Sequence, residues 1–586
     1  MISRILKLFT ILVLLSTALA AQTNIGSSYY YLNDYQKAKQ YFENELSKNP
    51  NYANAYYYLG EIAFSEGNAE KAKDYYNKGL SIDPQNKYNQ IGLAKLGLKI
   101  NTKEAESTFA SILKKDKKDV STILAVGRAY LDNGMLKGAE KQVAEARKVN
   151  EKNPEIYILE GDIILNGEEN VKKYGNAAGK YEMANYFDPD YALAYVKTAK
   201  IYENINSKLA IEKLQTIIEK QPNYSIAYSY LGKIYTQNGF YPQAIEAYNT
   251  YISYGTYTVD DIERYARALY FSNSYTDAEN MVEKGLQENP DHFVLNRYKM
   301  YIAAKQNNTD KGLSIAQKFF SLREQPSGYI AQDYAIYAAI LNNAQQYSKA
   351  ILQYNQAIEL EPDRLETYTE AAAMTREKKD YVQTATYLQQ QMHKKAELAE
   401  DASYADNVVD INALGYDYYM AGVAISKNQQ PVEDFGLMKK GSIIKELLTA
   451  NKSLNEDSLT SNIDYFAKAY STYYLNKAEV LFDTLIQRLS NAYSGYRLKA
   501  LTKHALNSNA EDGVAQPYYE KVVEIITGKD DITAAEARVL IEAYSYLGYF
   551  YYMNSDEPNT ILYWNKVLEL DPDNKNAKLI LEDLNK

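Results

Sequence analysis

Spacing constrains this chain more than any other feature. Gly26, Ala38 and Pro50 recur as Gly60, Ala72 and Pro84, each displaced by 34 residues. A fixed period of that size marks a stack of small motifs, each of which completes its core against its neighbours. Within the period, a large residue, then Leu-Gly, then Tyr precede Ala, an aromatic ring and Pro. Two stretches carry the pattern most fully: Tyr228, Leu231, Gly232, Tyr235, Ala244 and Tyr248, and Tyr544, Leu547, Gly548, Tyr551, Trp564 and Pro572. It reads as two antiparallel helices that cross closely. Gly or Ala sits where the backbones approach nearest, while Tyr, Leu and Trp fill the wider gaps on either side. A proline after the second helix stops it and turns the chain into the next unit.

The template places further units around Gly127, Tyr130, Ala139 and Ala146, around Gly161, Ala177, Tyr181 and Pro189, and around Tyr195, Tyr202, Leu214 and Pro222. Others come at Ala266, Leu269, Ala278 and Pro290, in a degenerate unit ending at Pro326, at Tyr334, Ala338, Ala350, Tyr354 and Pro362, and at Tyr368 and Leu388. Four extra residues between Gly161 and Ala177 imply a lengthened loop near Asn166 to Lys173, a change loops absorb at little cost. Beyond Glu397 the register weakens. Leu414, Gly415 and Tyr418 resemble one first helix, but Pro431 and Gly436 interrupt the pattern after it and 451–460 is polar. The expected organisation is a cleaved signal peptide at 1–20, a repeat array at 21–396, an irregular helical connector at 397–460 that serves as a hinge, and a second array at 461–586. That array ends in a capping helix from Asn576, because open solenoid ends need a polar cover.

Composition supports an array. At 586 residues, 46% hydrophobic and 24% charged, the chain is too long for one compact domain and too apolar for wholesale disorder. Its 60 Tyr against 14 Phe and 1 Trp suit a thin, two-layered structure, since a tyrosine ring wants burial while its hydroxyl needs water or a partner. The formal charge of −10, with no long Lys/Arg run, argues against nucleic acid as a partner. Zero cysteines remove disulfides, thiolate metal sites and cysteine nucleophiles together.

Arg4 and Lys7, the apolar stretch Leu8 to Leu15, and Ala18-Leu19-Ala20 read as an export signal. The apolar stretch is shorter than the ~20 residues that span a bilayer. No later segment is apolar and long enough to cross, so no integral membrane segment is expected once the signal is removed. The expected location is the periplasm, with secretion or outer-membrane association as alternatives.

On these residues the chain resembles the tetratricopeptide repeat family, of an exported bacterial type, over nearly its whole mature length. The resemblance implies an all-α, right-handed superhelical solenoid of stacked antiparallel helix pairs. It also implies a scaffold or assembly role, with a partner segment received in the concave groove lined by first helices. Three residues before, one after and four after each signature Gly or Ala share one helical face. They give Tyr57, Glu61 and Phe64; Lys200 and Glu203; Lys233 and Thr236; Glu263, Arg267 and Tyr270; Tyr416 and Tyr419; and Tyr549 and Tyr552. The Lys-Asn-Asn-Lys-Arg set by which part of the family clamps a terminal carboxylate is missing.

Catalysis finds little to work with. His292, His393 and His504 fall in different units, and the phosphate-loop, HExxH and GxSxG motifs are all missing. Asp571, Asp573 and Glu582 imitate part of a calcium loop, but Lys575 and Asn576 stand where an oxygen ligand and Gly belong, so they read as turn and cap residues. The expectation is a non-catalytic scaffold or assembly factor of the bacterial cell envelope that binds other proteins or peptides, without metal or cofactor. The alternative is a glycan-binding component of an outer-membrane uptake system, because exposed aromatic rings also stack on sugars.

Overall fold

The computed structural model describes residues 25–167, 172–323, 327–399, 407–429, 437–508 and 510–584. The expected signal peptide, Pro326, Pro431 and Gly436 lie outside them. The described residues are helices joined by short turns, and they fall into two compact units divided between Gln306 and Asn307.

In the first unit a short helix at 25–31 pairs with Tyr35–Lys48, and Ala53–Ser65 with Ala69–Ile82. The same hairpin recurs through Lys87–Leu96 and Thr102–Lys115, Val120–Asp132 and Leu136–Val149, and Pro154–Gly167 and Lys172–Phe187. It continues through Ala192–Tyr202 and Ser207–Lys220, Ser225–Gln237 and Tyr241–Ser253, and Val259–Phe271 and Tyr275–Glu288. Helical residues run to Gly167 and resume at Lys172, so the lengthened loop expected near Asn166 to Lys173 is narrower than its sequence limits; 168–171 are not among the described residues.

The turn inside each hairpin has its own period. Asn33 and Gly67, then Gly239, Asn273 and Asn307, adopt left-handed backbone at 34-residue spacing, with φ from 53° to 81°. Glycine reaches this region without a Cβ penalty and asparagine tolerates it, which is why these two types punctuate the repeat. Asparagine also opens second helices: the side chains of Asn68, Asn101 and Asn206 accept from the backbone N–H three residues on, satisfying donors the helix leaves free.

The signature glycines behave as their spacing requires. A Cβ on Gly60 would lie 2.3 Å from the Tyr76 ring, one on Gly232 2.9 Å from Tyr248, and one on Gly548 2.8 Å from Trp564. The large residue of the second helix thus rests directly on the first helix's backbone.

In the second unit Ala331–Asn343 pairs with Tyr347–Leu360, and Leu365–Glu377 with Tyr381–Leu398. The helix expected at Leu414, Gly415 and Tyr418 spans Val408–Ser426, and its partner is the 26-residue helix Ile463–Arg488. Gly415 approaches Phe482 and Gly422 approaches Leu475, with prospective Cβ distances of 2.7 and 2.6 Å. The stretch that departs from the repeat is therefore inserted within one long hairpin. It carries the helices Leu437–Ala450 and Glu456–Ser461, whose Ile443, Ile444, Leu447 and Leu459 join Phe466, Tyr470 and Tyr474 in one core. The hairpins Tyr493–Leu506 with Gln516–Thr527 and Ala534–Met553 with Glu557–Leu570 come next. Lys575–Leu584 then packs through buried Ala577 and leaves Leu579 exposed, as a one-sided terminal helix should. No described helix is long and apolar enough to cross a membrane.

Candidate binding surface

First helices of successive repeats lie side by side, so the residue directly after the signature Gly meets its counterpart about 34 residues on. In the first unit these meetings are ion pairs. Lys95 bridges Glu61 at 2.8 Å and Asp132 at 2.6 Å, while the Tyr30 and Tyr76 hydroxyls donate to the same Glu61 carboxylate at 3.0 and 2.7 Å. Arg128 and Lys197 both reach Asp162, at 2.7 and 2.8 Å, and Tyr181 donates to it at 2.6 Å. Lys233 pairs with Glu203 at 2.9 Å. Burial pushes the Lys95 ammonium down, but Asp132 and Glu61 outweigh it and hold the group above its ordinary value. Burial likewise pushes Asp162 up, and Lys197 and Arg128 bring it below the usual aspartate range.

The chain's own N-terminal hairpin covers this ladder. Tyr30 reaches Glu61, the Arg128 guanidinium lies 4.9 Å from the Tyr31 ring centroid, and Lys200 donates to the Leu32 carbonyl at 2.5 Å. Lys37 donates to Ser229 at 3.2 Å and pairs with Asp261 at 3.0 Å. Tyr251 donates to Asp261 at 3.1 Å and meets the Tyr29 hydroxyl at 3.4 Å, across 222 residues of sequence. Residues 25–37 thus occupy the inner face that the hairpins from Ala53 to Phe271 would otherwise present.

This placement corrects the expectation for the first unit. Tyr57, Glu61 and Thr236 are buried: Tyr57 packs on Tyr58 and Tyr88, Glu61 accepts from Tyr30, Tyr76 and Lys95, and the Thr236 hydroxyl donates to the Gly232 carbonyl at 2.8 Å. Phe64 is half-buried with the Lys95 ammonium 4.2 Å from its ring centroid. Glu203 and Lys233 are spent on each other, and Lys200 on a carbonyl. Glu263 is half-buried near His292, and burial pushes its carboxyl up. Tyr270 sits among Phe271, Tyr275, Tyr298 and Tyr301, where burial pushes its hydroxyl up to about 12. Arg267 is exposed and lies 5.9 Å from the exposed Phe271 ring.

In the second unit, among the described residues, part of the same face is exposed although Asp417 on it is buried. Arg376 pairs with Asp417, and Arg497 grips Glu542 through two bonds of 3.0 and 2.6 Å. Tyr416 and Tyr549 are each more than two-fifths exposed. Tyr419, with Arg497 and Glu542 near its ring, lies 6.4 Å from Tyr416, and Tyr552, which donates to Asp583 at 2.7 Å, lies 6.5 Å from Tyr549. These two ring pairs, on Val408–Ser426 and Ala534–Met553, together with Arg267 of the first unit, are the expected groove residues that remain available.

The histidines stay apart. His292 caps a helix by accepting from Leu295 N–H, His393 is exposed beside Glu397, and His504 packs edge-on against Tyr546. Among the described residues, no three His, Asp or Glu side chains come together as a metal ion requires.

The architecture is that of an all-α solenoid of antiparallel helix pairs. A family model described as Tetratricopeptide repeat matches residues 23–87. Tetratricopeptide repeat protein 6 of Homo sapiens is 32% identical over 74 residues, a match covering 13% of this chain and 14% of that protein's length. Residues 23–87 therefore carry tetratricopeptide repeats by the family match, and the same helical hairpin recurs in the described residues beyond them. Among solved structures it is similar to the C-terminal part of a TPR repeat-containing protein from Cytophaga hutchinsonii, 21% identical, covering 54% of this chain and 99% of that one at a TM-score of 0.36. It is also similar to yeast Tom70, 14% identical over 73% of this chain and 99% of that one at a TM-score of 0.27.

Proposed function

We propose that this protein is a non-catalytic scaffold or assembly factor of the bacterial cell envelope, and that it receives segments of partner proteins on the inner face of its second unit. The reading rests on one contrast: the ring pairs Tyr416 with Tyr419 and Tyr549 with Tyr552 keep accessible surface on first helices, whereas the corresponding positions of the first unit, Arg267 excepted, are largely consumed internally. Rigid aromatic rings flanked by paired charges suit recognition of a peptide segment, since Tyr supplies large contact area at small entropic cost. The apolar stretch Leu8 to Leu15 and the small residues at Ala18 to Ala20 support export to the periplasm.

Capture of cross-linked partners from envelope extract tests this. The double variant Tyr416→Ala/Tyr549→Ala should lose the partners that the unaltered chain captures, while Arg267→Ala in the first unit keeps them. Equal capture by both variants would refute the assignment of the surface. The exposed ring pairs also support a second reading, a glycan-binding component. Calorimetric titration with polysaccharides that saturates, and is lost in the double variant, would replace the protein partner with a sugar.

A further inference from the structure

Between residues 25–31 and the first helices of the next hairpins lies a cavity of about 340 Å3, at the lower end of the range for small-ligand sites. Tyr31, Tyr58, Tyr88 and Tyr191 line it together with Arg128 and Glu155. All four hydroxyls are pushed up, chiefly by burial, yet each side chain keeps accessible surface because it faces the cavity.

Charge in the wall is unevenly satisfied. Arg128 is committed to Asp162 at 2.7 Å and lies against the Tyr31 ring, and Lys197 shares that aspartate. Lys87, 5.5 Å from the Tyr88 ring centroid, is engaged by Asp116 and Asp119. Glu155 receives one hydrogen bond, 2.9 Å from the Ser121 hydroxyl, and its carboxylate makes no ion pair among the described residues; burial pushes the carboxyl up, and the Arg128 charge offsets this only in part. A desolvated carboxylate with one neutral donor and only a shared, indirect cation is costly unless a further cation meets it, and aromatic rings around such a carboxylate are suited to stabilise an ammonium group.

We propose that this cavity binds an organic ammonium group, with Glu155 as its counter-ion and the tyrosine rings as its walls. The chemistry fits a lysine side chain of a peptide or a free alkylamine of similar size. It is independent of the partner surface assigned to the second unit, because the residues belong to different hairpins.

Titration calorimetry on the full chain separates the sources. Butylammonium and the capped tripeptide acetyl-Gly-Lys-Gly-amide are the probes, with butanol as the neutral control. At least one cation should saturate a single site while butanol gives no heat. Binding of the tripeptide alone identifies a peptide ligand, and binding of butylammonium alone a free amine. Glu155→Gln, which keeps shape and removes charge, should weaken binding roughly tenfold or more, the effect of one charge-assisted bond in a desolvated site. Tyr88→Leu, in the cavity wall, should weaken it several-fold, a loss read independently of the Glu155 variant should the latter fold poorly. Failure of both cations to bind, or equal affinity in the unaltered chain and both variants, would overturn the assignment.

Discussion

The two units place the same kind of ion pair in opposite settings. Lys95 and Glu61 in the first unit keep 1% and 2% of their side-chain surface, and Lys37 and Asp261 keep 5% and 0%. Arg497 and Glu542, on the corresponding helices of the second unit, keep 34% and 30%. The hairpin recurs in both; the difference between these pairs is whether described chain covers them. Residues 25–37 do so in the first unit, and ion pairs that would be screened and weak become desolvated and obligatory. Inward position on a first helix does not by itself make a binding residue.

The largest test removes one member of a buried set. Lys95→Ala leaves Glu61 and Asp132 without their cation, and should cost about 3–5 kcal/mol, whereas Arg497→Ala should cost under about 1 kcal/mol. Urea unfolding followed by far-UV circular dichroism measures both. The only Trp, Trp564, is buried in the second unit and reports on that unit by fluorescence. Equal losses in the two variants would erase the distinction between a covered and an open face.

Packing gives the next contrast. Gly60→Ala drives a Cβ into the Tyr76 ring and should destabilise by about 1–3 kcal/mol. On the exposed side of Lys172–Phe187, Gly179 has nothing within 4 Å of a prospective Cβ, so Gly179→Ala should stabilise by roughly 0.5–1 kcal/mol. The two midpoints should move in opposite directions.

Acid sharpens the comparison further. Lys197 and Arg128 hold Asp162 below its unfolded value despite burial, so its contribution is fully present above that value and declines as pH falls through the folded one. Asp162→Asn should lower stability at neutral pH and flatten the acid arm of the first unit's stability profile. An unchanged acid arm would mean that Asp162 is not held down.

The hairpins were legible because their causes are local. Gly60, Gly232 and Gly548 lie where spacing put the closest approach, and each meets the large residue of the following helix. The long hairpin of Val408–Ser426 with Ile463–Arg488 was only half visible: Gly415 carries the signature and meets Phe482, but an insertion stands between them. Tyr57 and Glu61 depart from the groove expectation for a different reason. Inward direction follows from helix periodicity, whereas occupancy of the inner face depends on contacts such as Lys37 with Asp261, which leave no periodic trace. One signal was available. Opposite charges recur one period apart, as Glu61 and Lys95 or Arg128 and Asp162, which is the pattern of repeats that neutralise each other.

That covering by residues 25–37 also sets an order of events. A repeat array ordinarily grows by adding each hairpin to the last, so structure can form as soon as two neighbours exist. Here the first described helix to leave the ribosome has Tyr251 among its native partners, and the helix after it has Asp261, so both must wait for more than 200 further residues to be made. Closure of the first unit is therefore a late, non-local step in an otherwise local fold, and it should be the slow phase of refolding.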